Sequence, residues 1–179
     1  YRRKVVEIQL KSCFPDKSDT EINKIAKGFY KNLSDILVES IKGFSMTEDD
    51  FKKRYVYTNP ELANHKSLEG KNVLFASSHL NNWEWGVIAI PLWFTNPSIG
   101  FYKPLSNKYL EAYAKKIRSR YGFMPVPIGE TSKTIEKYKG KSSNLLFISD
   151  QNTWSKNALW VNFLGQETIC AQGIEKYTT

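Results

Sequence analysis

Val73-Leu74-Phe75-Ala76-Ser77-Ser78-His79-Leu80-Asn81-Asn82-Trp83-Glu84 joins an apolar run to a polar segment that carries a histidine and an acid. Its first four residues form an apolar run that reads as a buried strand. The end of that strand delivers His79 to the carboxyl edge of a sheet, where α/β proteins gather their chemistry. His79 is therefore the residue to explain. Glu84 follows it five positions later. On one regular helix such positions lie about 140° apart around the axis and cannot meet. They can meet if His79 precedes a helix and Glu84 stands in its first turn, with Asn81 and Asn82 as suitable caps.

Beyond this stretch, short apolar runs at Tyr55 to Tyr57, Ile99 to Tyr102, Met124 to Ile128 and Leu145 to Ile148 alternate with helical patterns. Strands alternating with helices predict an α/β fold with a largely parallel sheet flanked by helices. A helix from about Asn107 to Tyr121 is expected to bury Leu110, Ala114, Ile117 and Tyr121, turning Glu111, Lys115 and Arg118 to another face. Ala158 to Ile169 reads as strand-rich, with Gly165 at a turn or bulge. Toward the N-terminus, Ser18-Asp19-Thr20-Glu21 forms a capping box. Ile22, Ile25, Phe29, Leu33, Ile36, Leu37 and Ile41 then recur at helical spacing, which predicts a long amphipathic helix from about 19 to the low forties. Val6, Leu10 and Cys13, behind Arg2, Arg3 and Lys4, read as a shorter basic-headed helix beside it, facing either a membrane or, as the favoured reading, the core. The expected organisation is one catalytic domain over 1–179, read as a fragment of a longer protein, with a helical lead-in at 1–45 and an α/β core at 46–179.

Composition bounds the function. The 179 residues are 41% apolar and 25% charged, ordinary for a globular domain with one sizeable core. Cys13 and Cys170 stand far apart with no Cys/His cluster, so a disulfide framework or zinc module is not expected. No run approaches the roughly 20 apolar residues of a spanning helix. The formal charge of +8 points to an anionic partner: nucleic acid, an acidic lipid surface, a phosphorylated substrate or an acidic carrier protein.

His79 and Glu84 suit general base catalysis. A carboxylate accepting one ring N–H fixes the imidazole tautomer and leaves the other nitrogen basic. Ser77 and Ser78 adjoin the histidine, but no G-x-S-x-G elbow surrounds them, so direct transfer to a substrate hydroxyl fits better than a covalent enzyme intermediate. H-x-x-x-x-E is not the histidine pair of a zinc helix, His65 is the only other histidine, and no metal site is expected. Leu145 to Ile148, ending in Ser149-Asp150-Gln151, repeats the strand-then-polar arrangement and should open on the same sheet edge. Lys115, Lys116, Arg118 and Arg120 form the densest basic cluster, and arginine can hold a phosphate through two parallel hydrogen bonds.

Taken in order, these blocks resemble the lysophospholipid acyltransferase superfamily and, within it, the bacterial lipid A biosynthesis acyltransferases. Tyr1-Arg2-Arg3-Lys4-Val5-Val6 and Phe14-Pro15-Asp16-Lys17-Ser18 are similar to that family's helical lead-in. Ser78 to Glu84 is similar to its signature of a histidine, four residues and an acid. Tyr102-Lys103-Pro104-Leu105-Ser106-Asn107 with Arg118-Ser119-Arg120 resembles a second block, Ser149-Asp150-Gln151 an Asp-Gln block, and Phe163-Leu164-Gly165-Gln166 the turn that follows.

The resemblance implies a glycerolipid-acyltransferase-like fold and an O-acyltransferase. The acyl donor would be acyl carrier protein and the acceptor a hydroxyl of an acylated, phosphorylated glucosamine disaccharide, with no metal or redox cofactor. In that reading His79 is the base and Glu84 its partner. Arg118, favoured over Arg120, holds anionic parts of a substrate, while Asp150, Gln151 and Asn82 complete the substrate-binding set. Backbone N–H groups near Asn81 to Trp83 are candidates for the oxyanion. The implied location is the cytoplasmic face of the inner membrane of a Gram-negative bacterium, with the anchor outside this segment. The alternatives are a glycerophospholipid or amino-lipid acyltransferase of the same superfamily, a serine hydrolase using Ser77 or Ser78, and a basic nucleic-acid-binding module. No nucleic-acid motif is present.

Overall fold

The computed structural model describes residues 2–151, 158–170 and 174–178. Two helices lead, α1 (Arg3–Cys13) and α2 (Asp19–Gly43), followed by the short α3 (Glu48–Arg54). The capping box opens α2 as expected: the Ser18 Oγ accepts from the Glu21 N–H at 3.4 Å, and Glu21 Oε2 accepts from the Ser18 N–H at 2.9 Å. Thr47 and Asp50 form the same reciprocal pair at the start of α3. In each box two backbone donors that the helix cannot satisfy find partners in the side chains.

The remainder is an α/β unit. Strands β1 (Asn72–Ser77), β2 (Ser98–Tyr102), β3 (Met124–Pro127) and β4 (Ser143–Ile148) make one sheet in the order β1-β4-β2-β3, and every pair is parallel. Parallel neighbours need crossovers. These are α4 (Trp83–Trp93) after β1, α5 (Lys108–Arg118) after β2, and α6 (Thr131–Tyr138) after β3. A separate antiparallel hairpin, β5 (Leu159–Phe163) and β6 (Gln166–Cys170), turns through Leu164 and Gly165, both at positive φ, so the turn expected at Gly165 is present.

The core forms on both sides of α4. Its sequence is apolar all round, which suits a helix covered on every face. Val87 and Ile90 join Phe94, Phe123 and Leu146, while Ile88, Ala89 and Trp85 join Met46 and Phe51. β4 lies inside the sheet, and Leu145 is fully buried. Because β1 and β4 are neighbours in register from Asn72↔Ser143 to Ser77↔Ile148, their carboxyl ends finish side by side.

Three expectations are corrected. Tyr55 to Tyr57 is not a strand: Tyr55 ends α3, its carbonyl accepts from Trp93 Nε1 at 3.1 Å, and the Tyr57 hydroxyl donates to the Gly86 carbonyl at 3.1 Å. The aromatics tie a loop onto α4 instead of pairing with a strand. Leu110 is not buried on α5; it is 59% exposed, and Ile117 and Tyr121 alone of the expected residues pack against a core cluster. Likewise α1 is not a core helix. It packs on α2, helped by a Lys11–Asp19 ion pair at 2.8 Å, but none of its residues is buried.

Candidate active site

His79 emerges two residues beyond β1, and Asp150 two residues beyond β4. The register of the two strands brings them together. Asp150 Oδ2 accepts from the His79 backbone N–H at 2.9 Å, and Oδ1 stands 2.6 Å from His79 Nδ1. One carboxylate thus holds both the main chain and the ring of the histidine. Burial opposes ionisation of Asp150, but the His79 hydrogen bonds outweigh it and hold the carboxyl below its usual range. An ionised Asp150 accepts the Nδ1–H and leaves Nε2 with a free lone pair. The Trp83 ring meets the imidazole edge to face at 4.8 Å, fixing its plane further. The His79 side chain remains 25% exposed, so its environment opens to solvent.

Glu84 has a different partner from the one its spacing suggested. It does lie in the first turn of α4, after a histidine that precedes the helix. Its carboxylate, however, takes the Arg118 guanidinium in a fork: Nε donates to Oε2 at 3.0 Å and Nη2 to Oε1. The expected His79–Glu84 contact is therefore corrected to His79–Asp150 and Glu84–Arg118. The reason is topological: the end of β4 reaches the imidazole first, and α5 brings Arg118 onto the first turn of α4. Burial opposes the charge on Arg118, but the Glu84 contacts raise its pKa above the ordinary arginine value. Its guanidinium also lies 5.9 Å from the Trp83 ring and 5.7 Å from the Tyr102 ring, within cation–π range.

A cavity of about 320 Å³ adjoins this cluster. Ser78 and Leu80, the residues on either side of His79, line it with Asn81, Asn82, Trp83 and Tyr57. His79, Asp150, Glu84 and Arg118 do not themselves line the cavity, which sits against the chain neighbours of the imidazole and the start of α4, where helix N–H groups can meet negative charge. The hydroxyls of Ser77 and Ser78 make no hydrogen bond to a described residue, His79 included. Among the described residues no three His, Cys, Asp or Glu side chains come together as a group that could hold a metal.

Residues 1–179, the entire chain, match a family model described as bacterial lipid A biosynthesis acyltransferase. The chain belongs to this family. It is accordingly an acyltransferase, and a lipid A acyltransferase acts on a lipid acceptor. A comparison with curated proteins finds no match.

The remaining residues expected at a lipid A acyltransferase site fall into different places. Arg120 is turned away: Nη2 and Nη1 donate to the carbonyls of Gly43 and Phe44 at 2.8 and 3.1 Å, closing the C-terminal end of α2. Asn82 is buried as the N-cap of α4, its Oδ1 accepting from the Trp85 N–H at 3.3 Å and its Nδ2 donating to Glu39 at 3.0 Å, so its amide is engaged within the fold. Gln151 is exposed next to Asp150 and makes no hydrogen bond to a described residue. Tyr102 and Glu111 stand in the cluster without having been singled out for chemistry. The signal for Asp150 as the imidazole partner was present in the paired strand-then-polar pattern, but strand adjacency is not written in either segment alone.

Proposed function

We propose that this protein transfers a fatty acyl group from an acyl carrier protein thioester to a hydroxyl of an acylated, phosphorylated glucosamine disaccharide, with His79 as general base. The observation that carries the reading is the His79–Asp150 pair beside a cavity, in a chain of an acyltransferase family. His79 Nε2 takes the proton of the acceptor hydroxyl while the oxygen attacks the thioester carbonyl. The new C–O bond forms, the C–S bond breaks, and the imidazolium returns its proton to the leaving thiolate. Asp150 stabilises the imidazolium and keeps the tautomer. Charge on the carbonyl oxygen is met by backbone N–H groups of Asn81 to Trp83, which line the cavity. No metal or redox cofactor is required for this step.

Glu84 forks Arg118, and Arg118 offers its remaining donors to a phosphate oxygen. The net charge of +8 suits two anionic substrates, the phosphorylated acceptor and the acidic carrier protein. At the C-terminal end of α2, Leu37, Val38 and Ile41 are exposed beside the exposed Lys42, which supports docking of this face on a bilayer carrying anionic lipid. Among the described residues no helix is long and apolar enough to cross a membrane. The cytoplasmic face of the inner membrane is the surface where such an acceptor and carrier meet.

The test is His79→Ala in the full-length protein, with acyl transfer followed by mass spectrometry of the acceptor. Removal of the base should lower turnover by at least roughly 10²-fold with the fold intact. Near-normal gain of acyl mass would discard the assignment.

A further inference from the structure

Tyr102 is the last residue of β2, and Glu111 stands in the first turn of α5. The Tyr102 hydroxyl donates to Glu111 Oε1, and the Leu105 N–H donates to Oε2 at 2.9 Å. One carboxylate therefore clasps the end of β2, the loop after it and the start of the helix. Arg118 ends the same helix, seven residues on, and seven residues make nearly two full turns, so both side chains rise from one face. The Tyr102 ring contacts the guanidinium at 5.7 Å and Trp83 contacts it at 5.9 Å. Nε and Nη2 are held by Glu84, while Nη1 has no hydrogen bond to a described residue.

We infer that Tyr102 and Glu111 are positioning residues: by locking the Tyr102 ring against the Arg118 guanidinium, they aim Nη1 at a phosphate oxygen of the substrate. The inference rests on the proposed function and adds to it the means by which the arginine is oriented. A guanidinium on a three-carbon stem has many rotamers, and a hydrogen-bond donor works only when its direction is fixed before the ligand arrives. The ring adds a contact to the Glu84 fork and the Trp83 ring that already hold the guanidinium, and the Glu111 bond stops the Tyr102 ring from swinging away. The clasp is also insensitive to pH near neutrality. Burial, and next the Glu111 contact, push the Tyr102 phenol up to about 12, so it stays a donor. The Leu105 and Tyr102 hydrogen bonds hold Glu111 below its usual range, so it stays an acceptor.

A phosphate oxygen is offered by the phosphorylated acceptor and by the phosphopantetheine arm of an acyl carrier protein. Steady-state kinetics of the full-length protein, varying each substrate in turn, distinguish the two. Tyr102→Phe keeps the ring and removes its hydroxyl; Glu111→Gln keeps the size and removes the charge. Both variants should raise KM for one phosphate-bearing substrate by about tenfold, leave kcat within about twofold, and leave the pH profile of kcat unchanged. The substrate whose KM moves identifies the phosphate. Unchanged KM values for both substrates, or a fall in kcat with KM unchanged, would overturn the inference. If His79→Ala is inactive while both variants behave as wild type, the positioning role alone fails; full activity of His79→Ala removes the catalytic reading itself.

Discussion

At the residue scale, Asp150 joins both of its oxygens to a single residue, taking the main chain of His79 with one and the ring with the other. Such a grip gives the pair a pH signature. Its folded pKa lies below the ordinary value, so the stabilisation is present above the unfolded value and is lost as pH falls through the folded one. The difference in melting temperature between the wild type and Asp150→Asn should therefore shrink on acidification from about pH 5 to about pH 3, a window that brackets the ordinary Asp value. Circular dichroism melts would check it, and a constant difference would contradict the linkage. His79 was legible as the residue at the strand end, and Glu84 as a first-turn acid. The pairing was not, because five-residue spacing permits a contact without selecting it over a carboxylate 71 residues away. Arg118 and Arg120 likewise share one basic cluster in the sequence, yet a step of two residues on a tightening helix end sends one to Glu84 and the other to the carbonyls closing α2.

At the element scale, α4 carries the load of placement, since its first turn bears Glu84 and its body separates the two core clusters. Gly86 shows how closely it is held: a Cβ there would meet the Tyr55 hydroxyl at 2.5 Å and its ring carbon at 2.7 Å. Gly28, in the interior of α2, has no atom within 4 Å of the same position. Glycine to alanine gains about 1 kcal/mol in a helix interior, whereas overpacking costs about 1–3 kcal/mol. Gly28→Ala should thus stabilise by about 1 kcal/mol, and Gly86→Ala should gain nothing or destabilise by up to about 2 kcal/mol. Urea unfolding reads both, and equal gains would show that Tyr55 yields freely. The long α2, the start of α4, α5 and the four sheet strands were legible because periodicity and caps are local, whereas the short α3 and α6 carry too few turns to show a period. Tyr55 to Tyr57 was misread because aromatic residues serve a strand or an anchored loop equally well, and only the surface of α4 decides between them.

At the scale of the whole molecule, the site is a product of strand order. β1 and β4 are distant in the chain and adjacent in the sheet, so His79 and Asp150 converge at one edge while α4 and α5 bring Glu84, Trp83 and Arg118 around them. An α/β class follows from alternation of patterns, but the order β1-β4-β2-β3 does not, and with it the identity of the imidazole partner stays hidden in a linear reading. In the proposed mechanism Asp150 holds His79 in the tautomer that makes it a base. Single-turnover acyl transfer by Asp150→Asn in the full-length protein tests it most directly. A rate lowered by at least roughly 10²-fold with substrate binding retained is the expected result; a rate within about twofold of wild type would contradict the account.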